Sequence, residues 1–215
     1  MTLWTGLVLF VIVSYLLGSV SGSLVLGRAR GVDIRSLGSG NAGSTNAFRT
    51  QGLAFAFGVM TIDVGKSVLG VALARWLAPR WGLEPMTAAV VVATSVLIGH
   101  VWPLFHGFRG GKGAATAVGA LLVVWPQGAL IGFAAWLPVL VLGGWVSLAT
   151  LIAGIVVFLA SVLWSPSGTQ WQLIAYTGFV AGAMLWTHRG NIARLRAGCE
   201  HRFERARLLR RRMPR

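Results

Sequence analysis

Residues 113–142 read GAATAVGALLVVWPQGALIGFAAWLPVLVL, and whether this run crosses a bilayer once or twice decides the architecture. As a single helix it would be about 45 Å long at 1.5 Å per residue, against a hydrocarbon core of roughly 30 Å. Pro126 falls near its middle, has no N–H to give a helix and disfavours helix in the residue before it. A turn is therefore expected there, separating short crossings at 113–124 and 127–142, with Pro138 a kink inside the second. Outward from this pair, apolar runs at 3–26, 53–77, 86–104, 145–164 and 171–186 are each close to the length a crossing needs. Trp164, Trp171 and Trp186 sit at the ends of such runs, where aromatic rings anchor at the interface. The expected fold class is all-α: a polytopic membrane protein with seven transmembrane helices. Its composition agrees, at 55% hydrophobic and 11% charged with a mean hydropathy of +0.72, whereas soluble domains carry roughly 25% charged residues.

Span parity then sets the topology. With seven crossings, residues 27–52, 105–112, 143–144 and 187–215 share one side. That side holds Arg28, Arg30, Arg35 and Arg49, then Arg109 and Lys112, then ten basic residues after the last span; the other side holds only Arg75 and Arg80. The positive-inside rule places the crowded side in the cytoplasm, the N-terminus outside and the C-terminus in the cytoplasm. Six crossings would move the tail away from the other basic loops and spoil the bias. No Lys or Arg precedes the first apolar run, so it is expected to be a retained span rather than a cleaved signal peptide. One membrane domain, 1–199, is expected, with a basic cytoplasmic tail at 200–215 that lies solvated against anionic lipid or forms a short surface helix. The net charge of +14 is read the same way, with membrane lipids as the partner and no nucleic acid. The single cysteine, Cys199, excludes an intramolecular disulfide and a multi-cysteine metal site. No repeat period is visible.

Three polar, glycine-bearing islands interrupt the lipid-soluble chain and, by parity, share the cytoplasmic face. They are GSGNAGSTNAFR (38–49), GFRGGKGAAT (107–116) and HRGNIARLRAGCE (188–200). Irregular backbone and ionised side chains are costly at membrane depth unless they are buried in protein or face water. In the first island Gly38, Gly40 and Gly43 leave backbone N–H groups approachable, Ser39, Asn41, Ser44, Thr45 and Asn46 add short polar side chains, and Arg49 adds a planar cation. The set suits a phosphate or an oxyanion, and equally a turn-rich connector with helix caps. In the second, Gly110, Gly111, Lys112 and Gly113 precede an apolar helix with Thr116 in its first turn, an arrangement that attracts anions. It is not a Walker motif: Gly107 and Gly111 are one residue too close, and Gly113 stands where the magnesium-binding hydroxyl would be. The DVGKS string at 63–67 fails too, because Met60 replaces the leading glycine and the string lies inside an apolar run. In the third, His188, Asn191 and Leu195 share one helical face, and Arg194 and Glu200 flank it. Glu200 is expected to be an ion-pair partner of Arg189 or Arg196. Within the second span, Asp63 and Lys66 are spaced to pair, which lowers the cost of both in the membrane.

In order and spacing, GSGNAGSTNAFR, GHVWPLFHGFRGGKGAAT (99–116) and HRGNIARLRAG with Glu200 resemble the bacterial acyl-phosphate:glycerol-3-phosphate acyltransferases, over nearly the whole chain. The resemblance implies a seven-helix enzyme of the bacterial cytoplasmic membrane, with its active site facing the cytoplasm. Its substrates would be glycerol 3-phosphate and a fatty acyl phosphate, and its product 1-acylglycerol 3-phosphate. It implies an essential serine and arginine at Ser39 and Arg49, and a His–Asn pair at His188 and Asn191. Glycerol 3-phosphate binding is implied at Gly111, Lys112 and Gly113, a supporting role at Ser147, and a structural role for Glu200. Gly40, Asn41, Thr45, Asn46 and Thr116 complete the expected binding set. No metal or organic cofactor is expected, because an acyl phosphate is already an activated anhydride. The H-x-x-x-x-D pair of the other glycerol-phosphate acyltransferase class is missing, since Phe105, Gly111, Ala193 and Ala206 stand five residues after the histidines. Departures from the family pattern are Ser44 where Ala is common, Arg109 for Lys and Gly190 for an acidic residue. His188 or a substrate phosphate would take the hydroxyl proton; the residues leave that choice open. The competing reading is a small transporter of a phosphorylated or anionic solute, against which stands the lack of inverted half-repeats.

Overall fold

The computed structural model describes residues 3–164 and 170–203, which fold as helices and turns with no strand among them. The helices are α1 (Leu3–Ser19), α2 (Gly22–Ala29), α3 (Ser44–Gln51), α4 (Leu53–Leu77) and α5 (Pro85–Val101). They continue as α6 (Ala114–Val124), α7 (Pro126–Gly143), α8 (Val146–Trp164), α9 (Gln170–Thr187) and α10 (Arg189–Arg196). Every apolar run read from the sequence is helical. By length and apolarity, four helices among the described residues qualify as membrane spans, or five if the bent pair α1–α2 counts as one. At 11 residues α6 is short, about 16 Å at 1.5 Å per residue against a core of roughly 30 Å. α9 carries Gln170, Gln172 and Thr177 among its apolar residues and does not qualify. By length and composition alone, the described residues thus support four to five crossings of an integral membrane protein.

The first expected span requires a correction. Instead of one helix over 3–26, the chain breaks after Ser19, resumes at Gly22 and bends by 45°. The cause lies in α4. Lys66 Nζ donates to the carbonyls of Gly18 (2.9 Å) and Val20 (2.7 Å) at the end of α1. Asp63 Oδ1 accepts from the N–H of Gly22 (3.0 Å), at the start of α2. The two charges also meet each other at 3.0 Å, as the spacing predicted. The cation therefore serves a helix C-terminus and the anion a helix N-terminus, which matches both the unpaired backbone groups and the dipoles.

α5 forms the centre, with Ala88, Ala89, Val92, Ala93 and Val96 fully enclosed. α1 lies against it through glycines: a Cβ on Gly18 would strike the backbone of Val96, and one on Gly99 the carbonyl of Tyr15. Small residues at a crossing let helix backbones approach, which is a main source of packing energy in lipid. α7 is the outlying helix, with Leu130 and Phe133 exposed. It begins at Pro126 after a break at Trp125, so the expected turn is present and the proline occupies the first helical turn, where its missing N–H costs nothing. Pro138 lies inside α7. Trp164, Trp171 and Trp186 are exposed at helix ends, as expected. A smaller cluster of Ile34, Ala47, Phe55, Ala56 and Val59 seats α3 and the turn before it on the start of α4. At the other end of the chain, Phe203 N donates to Gly144 O at 2.7 Å and its ring meets Phe48 edge-on. The tail expectation from residue 204 onward lies outside the described residues.

Candidate active site

The three islands meet. They enclose a polar cavity of about 100 Å³ at the end of the bundle where α3, α6, α8 and α10 begin. Ser44 and Thr45 open α3, Ala114 and Ala115 open α6, and Val146 and Ser147 open α8; all face the cavity. The first N–H groups of a helix have no partner within it and carry the positive end of the dipole, so the enclosure is suited to anions before any side chain is counted. Gly113 caps α6 with φ +89°, a left-handed conformation that a residue with a Cβ resists, and a methyl there would also strike Leu97.

In the first island Ser39, Asn41 and Arg49 face the cavity. Arg49 is exposed toward it and has no hydrogen-bond partner among the described residues. Asn46 also borders the cavity, but its amide is used up in shaping the loop. Its Oδ1 accepts from Ser39 N at 3.0 Å, and its Nδ2 donates to the carbonyls of Ile34 (3.1 Å) and Leu37 (2.9 Å). It is a clip that sets Ser39, and it is buried.

The second and third islands are joined by a chain of polar contacts. Lys112 Nζ donates to Asn191 Oδ1, Asn191 Nδ2 donates to Glu200 Oε1 at 2.6 Å, and Ser147 Oγ donates to the same carboxylate oxygen at 2.8 Å. Arg194 Nε donates to Glu200 Oε2 at 2.7 Å. Glu200 is thus a structural hub, as expected, although its cation is Arg194 and not Arg189 or Arg196. Arg189 is engaged elsewhere, over the Trp186 ring and on the Trp186 carbonyl. The reversal that brings Glu200 back is made at Gly198 (φ +72°), with Cys199 N donating to Arg194 O. A glycine just after a helix whose last turn is basic is the sequence signal for such a reversal. Burial tends to raise the Glu200 carboxyl, but the hydrogen bonds from Asn191, Ser147 and Arg194 outweigh it and hold the group below its ordinary range.

His188 is buried at the start of α10, with Nδ1 at 2.9 Å from the carbonyl of Met184. A ring nitrogen facing a carbonyl carries the proton, so Nε2 presents a lone pair. Burial first, and then the nearby Lys112 ammonium, push the imidazole down to about 4, so it is neutral at pH 7. Burial likewise pulls Lys112 down to about 8, with Arg194 and Arg49 adding to the effect and Glu200 opposing it. Arg49 is lowered by burial too, from a value high enough to leave it charged.

Of the residues singled out in the sequence, Ser39, Asn41, Thr45, Asn46 and Arg49 border the cavity, and so do Lys112, Gly113, Ser147, His188, Asn191 and Glu200. Gly40, which is exposed, and Gly111 are not among the residues that border it, and Thr116 is enclosed in α6 with its hydroxyl unpaired among the described residues. His100, Asp63, Thr150, Arg194 and His201 also border it without having been assigned to it. Among the described residues no group of three or more His, Cys, Asp or Glu side chains is placed to hold a metal ion.

The cavity has a second compartment. A groove of about 420 Å³, lined by α6, α7, α8 and α9 with the start of α3 and one residue of α4, shares Ser44, Thr45, Ala114, Ala115, Val146 and Thr150 with it. Its walls are apolar apart from a few hydroxyls, with Val118, Leu121, Phe133, Trp136 and Val157 contributing. A chamber suited to anions thus opens directly onto an apolar groove.

Residues 8–198 match the family model described as glycerol-3-phosphate acyltransferase. A relative so named from Ralstonia pickettii is 40% identical over 197 residues, covering 91% of this chain and 93% of that one. Another from Pseudomonas aeruginosa is 42% identical over 196 residues, covering 91% and 98%. The fold is similar to the crystal structure of PlsY (YgiH), an integral membrane glycerol 3-phosphate acyltransferase. Its glycerol 3-phosphate form matches with TM-score 0.81 and 34% identity over 92% of this chain and 95% of that one. Its lysophosphatidic acid form matches with TM-score 0.79 and 32% identity over 91% and 94%. Family model, relatives and solved structures agree, and the chain belongs to the glycerol-3-phosphate acyltransferase family.

Proposed function

We propose that this enzyme transfers a fatty acyl group from an acyl phosphate to the 1-hydroxyl of glycerol 3-phosphate. The products are 1-acylglycerol 3-phosphate (lysophosphatidic acid) and inorganic phosphate, a step in phospholipid biosynthesis. The observation that carries the reading is the junction of the two compartments, a cationic chamber lined by helix N-termini that opens onto an apolar groove. An acyl phosphate has that same division, an anionic head on a hydrocarbon tail.

The head enters the chamber, where Ser39, Asn41 and the first N–H groups of α3 and α6 surround it, and the tail lies between α6, α7, α8 and α9. Glycerol 3-phosphate enters from the cytoplasm and is held by Lys112 beside Gly113. Arg49 and Lys112 divide the two phosphate charges. The C1 hydroxyl oxygen attacks the acyl carbon, a tetrahedral oxyanion forms against the helix N-termini, and the bond from carbon to the phosphate oxygen breaks, releasing phosphate. Because the donor is already activated, positioning and charge stabilisation are the enzyme's main contributions. An imidazole held near 4 is a weak base, whereas a phosphate monoester has a second pKa of about 6. The hydroxyl proton therefore passes to a substrate phosphate, and His188 Nε2 orients glycerol 3-phosphate by accepting a hydrogen bond from its other hydroxyl, on C2.

The proposal places seven crossings in the bacterial cytoplasmic membrane, with the N-terminus outside and the cavity at the cytoplasmic face. The distribution of basic residues supports this. Phosphate release from palmitoyl phosphate by the purified protein, dependent on glycerol 3-phosphate, tests the reaction; no release by folded protein rejects it. Arg49→Ala and Ser39→Ala test the chamber, each expected to lower turnover at least ten-fold for a lost charged or charge-assisted hydrogen bond. Thr2→Cys in a Cys199→Ser background tests topology, with labelling from the periplasmic side expected.

A further inference from the structure

His100, near the end of α5, is almost wholly buried and yet borders the polar cavity. Its Nδ1 lies 3.0 Å from Lys66 Nζ and 3.4 Å from Asp63 Oδ1. The Lys66 contact is the shorter of the two and an ammonium only donates, so we assign Nδ1 as the acceptor and the ring proton to Nε2. Lys66 is itself fixed, with four acceptors around its three protons (the carbonyls of Gly18 and Val20, Asp63 Oδ1 and His100 Nδ1), so that one proton is shared between two of them. The tautomer is thereby set by the same pair that clasps the broken first span.

The other ring nitrogen faces the junction of two islands. A methyl on Gly111 would fall on His100 Nε2 and lie 2.8 Å from the carbonyl of Ala42. Gly111 N donates to the His100 carbonyl at 3.1 Å, so ring and backbone together set the height of the loop that carries Lys112. Nε2 has no hydrogen-bond partner among the described residues. Nor is it one of the fully enclosed unpaired polar atoms, so it keeps access to open space, and a donor there that borders a cationic cavity has an acceptor in an anion bound to it.

We propose that His100 is a further substrate-contacting residue, held at Nδ1 by Lys66, that donates its Nε2–H from the cavity floor to a phosphate oxygen. The phosphate nearest the Gly111–Lys112 loop is that of glycerol 3-phosphate. Asp63 and Lys66 act through His100 as positioning residues. The inference rests on the acyl-transfer reading of the same cavity.

The test uses the whole protein in micelles with glycerol 3-phosphate and palmitoyl phosphate. His100→Asn keeps an acceptor for Lys66 near the Nδ1 position and removes the Nε2 donor, whereas His100→Gln keeps an N–H near Nε2. His100→Asn is expected to raise the KM for glycerol 3-phosphate about ten-fold or more, the loss for a hydrogen bond to a charged group. His100→Gln is expected to recover most of that rise. A rise confined to palmitoyl phosphate supports the contact and assigns it to the donor. Unchanged KM for both substrates in folded, active His100→Asn protein overturns it. On the wild type, nitrogen-15 spectra assigned with His106→Gln and His201→Gln supply a measurement independent of turnover. A protonated Nε2 that shifts on adding glycerol 3-phosphate is expected, and a proton on Nδ1 or no response overturns the inference. Wild-type protein that binds but releases no phosphate instead rejects the acyl-transfer reading and leaves the His100 contact standing.

Discussion

Asn191 Nδ2 donates to Glu200 Oε1 at 2.6 Å, which turns the amide so that its oxygen meets Lys112. A carboxylate nine residues along the chain therefore decides which way the Asn191 amide points and holds the lysine in place. Glu200→Ala leaves Asn191, Ser147 and Arg194 without their shared acceptor. Because Arg194 is partly exposed, the expected loss is about 2 kcal/mol of stability rather than the full value for a buried pair. A fall in kcat/KM is expected with it, read by thermal unfolding in micelles and by turnover. Since the folded carboxyl lies below its ordinary value, its contribution is present above the unfolded pKa near 4.5 and fades as pH falls through the folded one.

Lys112, drawn down to about 8, gives the free enzyme an alkaline limb. Deprotonation removes the charge that meets phosphate, so kcat/KM for glycerol 3-phosphate should fall as pH rises through about 8. Lys112→Arg keeps its charge and should flatten that limb, while Lys112→Met should lower kcat/KM ten- to a hundred-fold or so at neutral pH. A pH profile of the three proteins checks both.

His188 is neutral in the fold, with its pKa depressed from 6.5 to about 4. The unfolded chain therefore binds a proton before the folded one does. Stability is full above 6.5 and is lost as pH falls between 6.5 and about 4, a loss of roughly 3 kcal/mol at the acid end. His188→Gln should remove most of that slope, measured as denaturation midpoints between pH 7 and 4.

Gly154 lines the apolar groove, and a Cβ there would meet nothing closer than Met184 Cγ at 3.8 Å. Gly154→Leu is thus accommodated by the helices while its branch fills the groove. Turnover of palmitoyl phosphate should fall several-fold, with short-chain acyl phosphates spared. Competition between two chain lengths in one assay checks it.

Hydropathy and parity made the helices and the grouping of the islands legible, because both depend on local sequence alone. The break in the first span was hidden because its cause, Lys66 on the Gly18 and Val20 carbonyls, lies more than forty residues away. Asp63 and Lys66 read correctly as a pair, yet their third member, His100, belongs to another helix, and no spacing rule reaches it. Asn46 was read as a substrate ligand because short amides both clip loops and bind phosphate; only its bonds to Ile34, Leu37 and Ser39 separate the roles. Glu200 found Arg194 instead of a nearer cation because Gly198 turns the chain back on itself.

The wall shared by chamber and groove, at Ser44, Thr45, Ala114, Ala115, Val146 and Thr150, also bears on the direction of the reaction. Of the two products one is a small hydrophilic ion and the other carries the hydrocarbon, so they part into different phases. The ion dilutes into three dimensions of water, while the lipid disperses sideways within the membrane. The reverse reaction would need both to find the same doorway again, and dispersal of each into its own reservoir draws the exchange forward without a moving part.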